Sequence, residues 1–168
     1  MVRTTLLTLL CAPALAAQQL PDSLVVDLAG RARVVHAAEL RALPRSAVTP
    51  SFGRGPQTYR GVPLVAVLRA AGLDTSQLHG PALAQSLLVE AADGYRMAFG
   101  LADVDSALTG RVLLLADSLD GRALAAREGP WRLVVAGDRD ASRSVRQVTV
   151  VRLVAAPAPY PGGGRRPD

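Results

Sequence analysis

The chain has 168 residues, of which 49% are hydrophobic and 20% charged, so it can bury one core and disorder is not the default. Aromatic residues make up only 4%, and all 19 basic residues are arginine, which leaves a formal net charge of +5. The sequence shows neither a basic helix nor an aromatic platform for stacking bases. The charge therefore indicates a small anionic ligand, and we expect no nucleic acid as a partner.

The first 17 residues are typical of an export signal. Arg3 supplies the positive start, residues 4–15 form the apolar segment, and a small-x-small site follows, with cleavage after Ala16 or Ala17. The apolar segment is too short for a stable membrane span. We therefore predict an exported protein, periplasmic or secreted, without a membrane span.

A lipid anchor on Cys11 is the alternative for this segment, but Leu10 stands where a small residue should precede the cysteine. Cys11 is the only cysteine, so removal of the signal leaves a mature chain with no disulfide and no thiolate metal ligand. The mature domain is predicted to cover residues 18–155. The Pro/Gly-rich tail, residues 156–168, is predicted to be disordered because it has nothing to bury.

The N-terminal half alternates strands with short helices. Residues 24–28 and 32–36 are predicted as paired strands around a turn at Gly30. Residues 37–43 form an amphipathic helix that a proline ends. Residues 45–60 are rich in Gly and Pro and are predicted as a loop.

The most strongly patterned helix follows this loop. It is predicted to begin within residues 61–64, with Pro63 in its first turn, where a missing N–H costs nothing. Gly72 suits the left-handed cap that ends such a helix. Residues 86–92 and 95–99 then flank Asp93-Gly94, a strong signal for a two-residue hairpin.

Three strands dominate the C-terminal part, after a short helix predicted over residues 101–108. Residues 112–116 are an unbroken apolar run, which suits a strand buried on both faces. Residues 131–135 form the next strand, with Arg132 expected to face outward. A polar loop over residues 137–144 leads into a long strand that is predicted over residues 145–154.

Several of these segments carry a resemblance to a known family. Residues 59–73 read YRGVPLVAVLRAAGL, residues 120–124 read DGRAL, and residues 129–137 read GPWRLVVAG. Together with Arg143 and Arg146 in the loop that follows, they resemble the sulfite-oxidase-like molybdopterin-binding domain of oxidoreductases. The resemblance covers most of the predicted mature domain.

This resemblance implies a single α+β domain of mixed β-sheets with short helices. It also implies a molybdopterin-type ligand, with Arg143 and Arg146 holding the pterin and its phosphate, and Arg54 and Arg60 lining the same pocket. Arginine suits this role because its planar fork donates two hydrogen bonds to one phosphate. From the residues alone, Arg143 and Arg146 can equally be solvated charges at a strand edge.

Tyr95 follows the predicted hairpin turn. In the family that the sequence resembles, a tyrosine of the matching segment enters the active site, which implies a catalytic role for Tyr95. The alternative is a cross-strand aromatic residue packed beside the turn, and the residues alone leave both open.

The metal ligand of the family has no counterpart here. Those enzymes hold molybdenum through the two dithiolene sulfurs of the pterin and one cysteine thiolate, from the loop before the matching helix. Residues 45–60 contain no cysteine, and Ser51 is the nearest hydroxyl, a poorer ligand because its pKa is far higher. No protein ligand for molybdenum is therefore predicted, with Ser51 the one remaining candidate.

Two function hypotheses result. In the first, the chain is an exported domain that resembles molybdopterin-dependent oxidoreductases and binds a molybdopterin-type or other small anionic ligand. It would then need a redox partner protein if it catalyses electron transfer. In the second, the chain is a non-catalytic descendant of the fold that serves as a protein-interaction or small-ligand-binding module. His36 and His79 stand alone, and Asp103 and Asp105 suit helix capping, so none of these four predicts a metal site.

Overall fold

The structure is a computed structural model that describes residues 22–53 and 55–155. Two β-sheets and three short helices, α1 (Ala37–Ala42), α2 (Leu64–Ala70) and α3 (Ser106–Thr109), make up this part of the chain. The predicted signal, the predicted tail and Arg54 lie outside the described residues, so those three predictions stay predictions.

The first sheet has the strand order β2-β1-β10-β5-β6. Its central strands β1 and β10 are parallel, and the other neighbours are antiparallel. Every second residue of β1 is buried, as expected for a strand that packs one face on the core and turns the other toward solvent. Its strands are β1 (Ser23–Leu28), β2 (Arg31–His36), β5 (Ser86–Ala91), β6 (Arg96–Gly100) and β10 (Val148–Val154).

The second sheet has the order β3-β4-β7-β8, with β9 also paired to β7. All of its pairs are antiparallel. Four consecutive residues at the start of β7 and all four of β9 are buried, so this sheet is covered on both faces. Its strands are β3 (Ser46–Val48), β4 (Tyr59–Pro63), β7 (Leu113–Leu119), β8 (Arg122–Ala123) and β9 (Arg132–Val135).

The main core lies on one face of each sheet, where α1 and α2 also bury their apolar sides. A smaller apolar cluster, Tyr59, Leu114, Ala116 and Val134, covers the opposite face of the second sheet. Phe52 and Leu119 pack against that smaller cluster, which places the loop between β3 and β4 over it. This side of the second sheet carries the site described below.

Two predictions for residues 45–64 are corrected. Residues 45–60 are not loop throughout, because β3 pairs with β4 within them. The helix begins at Leu64, within the predicted range of residues 61–64, but Pro63 is not in its first turn, since Gly61, Val62 and Pro63 are still paired with β7 as part of β4. Tertiary pairing thus outweighs the local preference of proline for a first helical turn.

Three further boundaries differ. The predicted helix over residues 101–108 is a 3₁₀ turn, Leu101–Val104, followed by α3. The last strand begins at Val148, and Val145 contributes only an isolated bridge to Leu133. The hairpin joining β5 and β6 is confirmed, but its loop is one residue longer, because Ala91 N donates to Tyr95 O and Gly94 N donates to Ala91 O.

Candidate functional site

A large open cavity, about 1010 Å³ in volume, lies beside the smaller apolar cluster. Four stretches of chain enclose it: the β3–β4 loop with the start of β4, the β7–β8 turn, the segment between β8 and β9, and the loop between β9 and β10. The residues that line the cavity include Tyr59, Arg122, Arg127, Glu128, Arg132, Arg139 and Arg146.

Positive charge dominates this cavity. Five arginines line it against three carboxylates, Asp120, Glu128 and Asp140. The four arginines at its rim are exposed, and within the described residues no carboxylate lies within ion-pair distance of any of them: Arg122, Arg127, Arg139 and Arg146. Uncompensated guanidinium groups around a concave surface raise the local concentration of anions.

The fifth arginine, Arg132, lies in the cavity wall and is only 5% exposed. The sequence prediction that it faces outward is wrong, because β9 is buried on both faces and leaves no outward position. Arg132 Nη1 donates to Glu128 Oε2 at 2.9 Å and to the hydroxyl of Tyr59 at 3.2 Å. Its guanidinium also sits 5.2 Å from the centroid of the Tyr59 ring.

Arg132, Glu128 and Tyr59 form a buried trio whose hydrogen bonds to one another leave some polar groups without a partner. Arg132 Nε is buried and has no hydrogen-bond partner among the described residues. The Tyr59 hydroxyl oxygen accepts from Arg132, because a guanidinium can only donate, so its own proton is not used in that bond. Burial raises the pKa of Tyr59, while the nearby Arg132 lowers it by a smaller amount, so the phenol stays protonated at neutral pH.

The loop between β9 and β10 is held by its own side chains. Both oxygens of Asp138 accept from Arg143, at 2.6 Å and 2.9 Å, and Arg111 lies 3.8 Å from the same carboxylate. These bonds to Asp138 raise the pKa of Arg143. Asp140 accepts from the backbone N–H and the hydroxyl of Ser142, which lowers the pKa of Asp140.

A smaller recess of about 270 Å³ adjoins the cavity and shares Ala141 and Arg146 with it. Tyr95 lines this recess and is 43% exposed. Its hydroxyl donates to the carbonyl oxygen of Ser142 at 2.8 Å, which ties the β5–β6 hairpin to the β9–β10 loop.

The residues that the sequence singled out are brought together only in part. Arg146 lines both the cavity and the recess, and Ser51 lies exposed at the cavity wall. Arg143 is near them in the chain but is engaged by Asp138 and lines neither space. Arg60 is an exposed residue of β4 and is also absent from both linings. Their roles in ligand binding stay predictions.

Four lining arginines were missed from the sequence: Arg122, Arg127, Arg132 and Arg139. Arg132 had a usable signal, because a charge inside an apolar run must be paired when the strand is buried on both faces. The other three stand in polar connecting segments, where no local pattern distinguishes a cavity rim from ordinary solvated surface.

The hydrogen-bond donors that line the cavity determine which parts of a molybdopterin-type cofactor could bind there. Four exposed arginines and the incompletely satisfied Arg132 fit a phosphate and the acceptor-rich edge of a pterin. They do not fit molybdenum bound by a protein thiolate, because the one cysteine of the sequence is Cys11. Within the described part of the chain, no group of three or more His, Cys, Asp or Glu could hold a metal ion.

Comparison with known proteins bears on the fold. No family model matches the chain, and no curated protein matches it. The sulfane dehydrogenase SoxCD from Paracoccus pantotrophus is similar in structure, with a TM-score of 0.58 and 20% sequence identity over 83% of this chain. The match spans 40% of the SoxCD chain, and at this identity the likeness shows the fold alone.

The chain is therefore an α+β domain of mixed β-sheets with short helices, as the sequence predicted, and its fold is similar to that of this sulfane dehydrogenase. The likeness carries no residue roles with it. Over residues 22–53 and 55–155, no helix is long and apolar enough to cross a membrane.

Proposed function

We propose that this domain binds a small phosphorylated ligand of the molybdopterin type in the arginine-lined cavity. The observation that carries the proposal is the set of four exposed arginines without a carboxylate partner around a space of about 1010 Å³. A cavity of that size is at the upper end of those that take cofactor-sized ligands. Its excess of two positive charges matches the charge of a phosphate monoester at neutral pH.

Each part of the cavity has a distinct task in this proposal. Arg139 and Arg146 stand on the β9–β10 loop and donate paired hydrogen bonds to phosphate oxygens. Arg122 and Arg127 neutralise charge from the opposite segment. Tyr59, held by Arg132, offers a neutral O–H to an acceptor at the cavity wall, and Phe52 supplies apolar area for a planar ring.

When bound, a molybdopterin cofactor would supply oxygen-atom transfer chemistry through its metal. Residues 22–53 and 55–155 contain no cysteine to supply a thiolate for that metal, and we assign the chain no redox step. A second candidate function follows from the same observation: the fold can have kept the anion-binding cavity as a small-ligand or interaction module. The two candidates differ in whether pterin and molybdenum accompany the purified protein.

The pterin and molybdenum content of the purified protein tests this proposal. The chain would be expressed with its N-terminal segment in a host that makes molybdopterin, alongside a known molybdopterin enzyme as a loading control, and assayed for released pterin and molybdenum. We expect about one pterin per chain. A folded chain with neither pterin nor molybdenum, beside a loaded control enzyme, would contradict the first candidate and leave the second.

A charge-matched pair of variants tests the cavity itself. Arg139→Gln with Arg146→Gln should weaken binding of 6-hydroxymethylpterin phosphate at least about tenfold, because each lost charged hydrogen bond is worth about 1.5 kcal/mol or more. Arg31→Gln with Arg69→Gln is the control, because it also removes two positive charges: both arginines are exposed and neither lines the cavity. Equal loss in the control would show a general effect of net charge on binding.

We also propose that the protein is exported, on the strength of its first 17 residues. The test is the intact mass of protein recovered outside the cytoplasm. We expect a chain that starts after Ala16 or Ala17. A recovered chain that still carries residues before Ala14 would contradict cleavage at this site.

A further inference from the structure

The β9–β10 loop presents Arg139 and Arg146 to the cavity from a stretch with almost no regular structure. Between β9 and β10, only Val145 makes a strand-like bridge, to Leu133. Loops with few backbone bonds open easily, so the direction of the two arginines depends on whatever else restrains residues 136–147.

Gln147 anchors the C-terminal end of this loop: its N–H donates to Glu128 O, its carbonyl oxygen accepts from Ala92 N, and its Nε2 donates to Ala126 O.

Two further side chains restrain the middle of the loop. Tyr95 reaches from the β5–β6 hairpin and donates its hydroxyl proton to the carbonyl of Ser142, 47 positions later in the chain. Arg143 bridges within the loop through its paired bonds to Asp138. Its guanidinium also lies 5.8 Å from the centroid of the Phe99 ring on β6, so it fixes the loop to the first sheet.

Neither side chain is placed to hold the ligand in the large cavity. Arg143 has its Nε/Nη2 edge on the Asp138 carboxylate, and it lines neither the cavity nor the recess. Tyr95 lines only the recess, and its hydroxyl proton is used on the loop backbone. In sequence, Arg143 and Arg146 look alike, yet the structure gives them different surroundings.

We infer that Tyr95 and Arg143 are positioning residues that hold the β9–β10 loop in the conformation that presents Arg139 and Arg146 to the ligand. The inference rests on the proposed function, because it concerns the same cavity. It assigns ligand contact to Arg146 and Arg139, and it assigns none to Arg143 or Tyr95.

The restraints order the β9–β10 loop before the ligand arrives, so the binding free energy does not have to offset the cost of ordering it. Without them the loop samples other conformations, and the ligand must select the competent one, which weakens its apparent affinity by the fraction of time the loop is competent. Losing one hydrogen bond worth about 1 kcal/mol raises the ratio of open to competent loop roughly fivefold, and it lowers the competent fraction by up to that factor.

The experiment combines loop-resolved amide hydrogen exchange with titration of 6-hydroxymethylpterin phosphate. In the ligand-free chain, Tyr95→Phe and Arg143→Gln should speed exchange over residues 138–146 roughly fivefold and weaken the probe by up to that factor. At saturating probe, exchange of the loop should return to the wild-type rate. That recovery distinguishes positioning from a general loss of stability, which the thermal midpoint monitors.

Arg146→Gln is the matched control, with the same substitution three positions from Arg143. It should weaken the probe while leaving exchange of the ligand-free loop unchanged, because no hydrogen bond of its side chain to the described residues holds the loop.

The outcomes separate this inference from the proposed function. If the wild-type chain does not bind the probe, the proposed function fails, and the positioning role falls with it. If the wild type binds and Tyr95→Phe and Arg143→Gln bind equally well, or leave loop exchange unchanged, the positioning role alone is overturned.

Discussion

At the scale of single residues, Arg132 sets the character of the cavity wall. A guanidinium that is 5% exposed is held there by one carboxylate, one phenol oxygen and the face of an aromatic ring. Buried ion pairs of this kind add little net stability, yet removing one member leaves the other charge uncompensated. The trio is thus better understood as a fixed polar surface than as a source of stability.

Replacing Arg132 tests this view. Arg132→Met should lower the free energy of unfolding by about 3 kcal/mol, because Glu128 is then left partly buried without its partner. The double variant Arg132→Met with Glu128→Gln should recover more than half of that loss. Denaturant unfolding of the two single variants and the double variant measures both. Additive losses would show that the pair is not coupled.

Tyr59 gives the molecule an alkaline dependence of stability. Its pKa is raised in the folded state, so above about pH 10 the unfolded chain loses this proton first and stability falls as pH rises. The slope reaches at most about 1.4 kcal/mol per pH unit. Tyr59→Phe should flatten this loss between about pH 9.5 and 11 in urea titrations, and an unchanged slope would contradict the role of Tyr59.

Residue roles in this site were predictable only where the strand context was known. Arg146 was found through the resemblance and does line the cavity, whereas Arg143, three positions earlier, is engaged by Asp138. The sequence places Asp138, Asp140 and Arg143 close together, but it does not say which carboxylate takes which arginine. That choice depends on the loop path, which distant contacts such as Tyr95 with Ser142 determine.

At the scale of elements, Gly61 allows β4 and β7 to pair closely beside the site. A Cβ on Gly61 would overlap the carbonyl oxygen of Leu115 and lie 2.5 Å from the Ala116 Cα. Both contacts are backbone atoms, so neither can move aside as a flexible side chain would. The ladder also shifts register here: Arg60 pairs with Ser118 and Gly61 with Ala116, which leaves Asp117 as an extra residue on β7.

Gly61→Ala should therefore destabilise the domain by about 3 kcal/mol or more, through steric overlap alone. Gly72→Ala is the comparison, because Gly72 has open space around its missing Cβ and a φ of +105°. Its cost should be about 1 kcal/mol, from the left-handed backbone at the end of α2. Thermal or urea unfolding of both variants measures the difference; equal losses would argue against the overlap.

Element types were largely predictable, and boundaries were less so. The Gly72 cap is confirmed in full: Leu73 N donates to Leu68 O and Gly72 N donates to Arg69 O, the pattern of a Schellman cap. The strand β3 was missed because three residues offer no periodicity, and it exists through its pairing with β4. Local chemistry specified the cap, whereas the partner strand specified β3.

At the scale of the whole molecule, the resemblance implied mixed β-sheets with short helices, but neither it nor the local pattern gave the order of the strands. Alternating and continuous apolar runs predicted strands over most of both sheets. They did not predict that β10 would lie between β1 and β5, or that β9 would pair with β7. Strand order is determined by how distant segments cover one another, which no window of the sequence contains.

This strand order predicts a gradient of local stability. Amides of β1, β10 and β5 should exchange most slowly in the first sheet, because these three strands are hydrogen-bonded on two sides. Amides of β2 and β6, at the sheet edges, should exchange faster by at least about tenfold. Residue-resolved hydrogen exchange measures this gradient. Equal protection of β2 and β10 would show that the first sheet opens as one cooperative unit.

The central position of β10 also bears on when this domain can assume its fold during synthesis. Until residues 148–154 have left the ribosome, the first sheet exists only as two separate hairpins, β1 with β2 and β5 with β6, each with one face of Leu and Val uncovered. The parallel contact of β1 with β10 joins residues about 125 positions apart, as Val25 with Val150 shows. A nascent chain with this topology stays incompletely folded until its last strand emerges, and a chaperone or secretion factor that binds extended apolar segments has that whole interval in which to engage it.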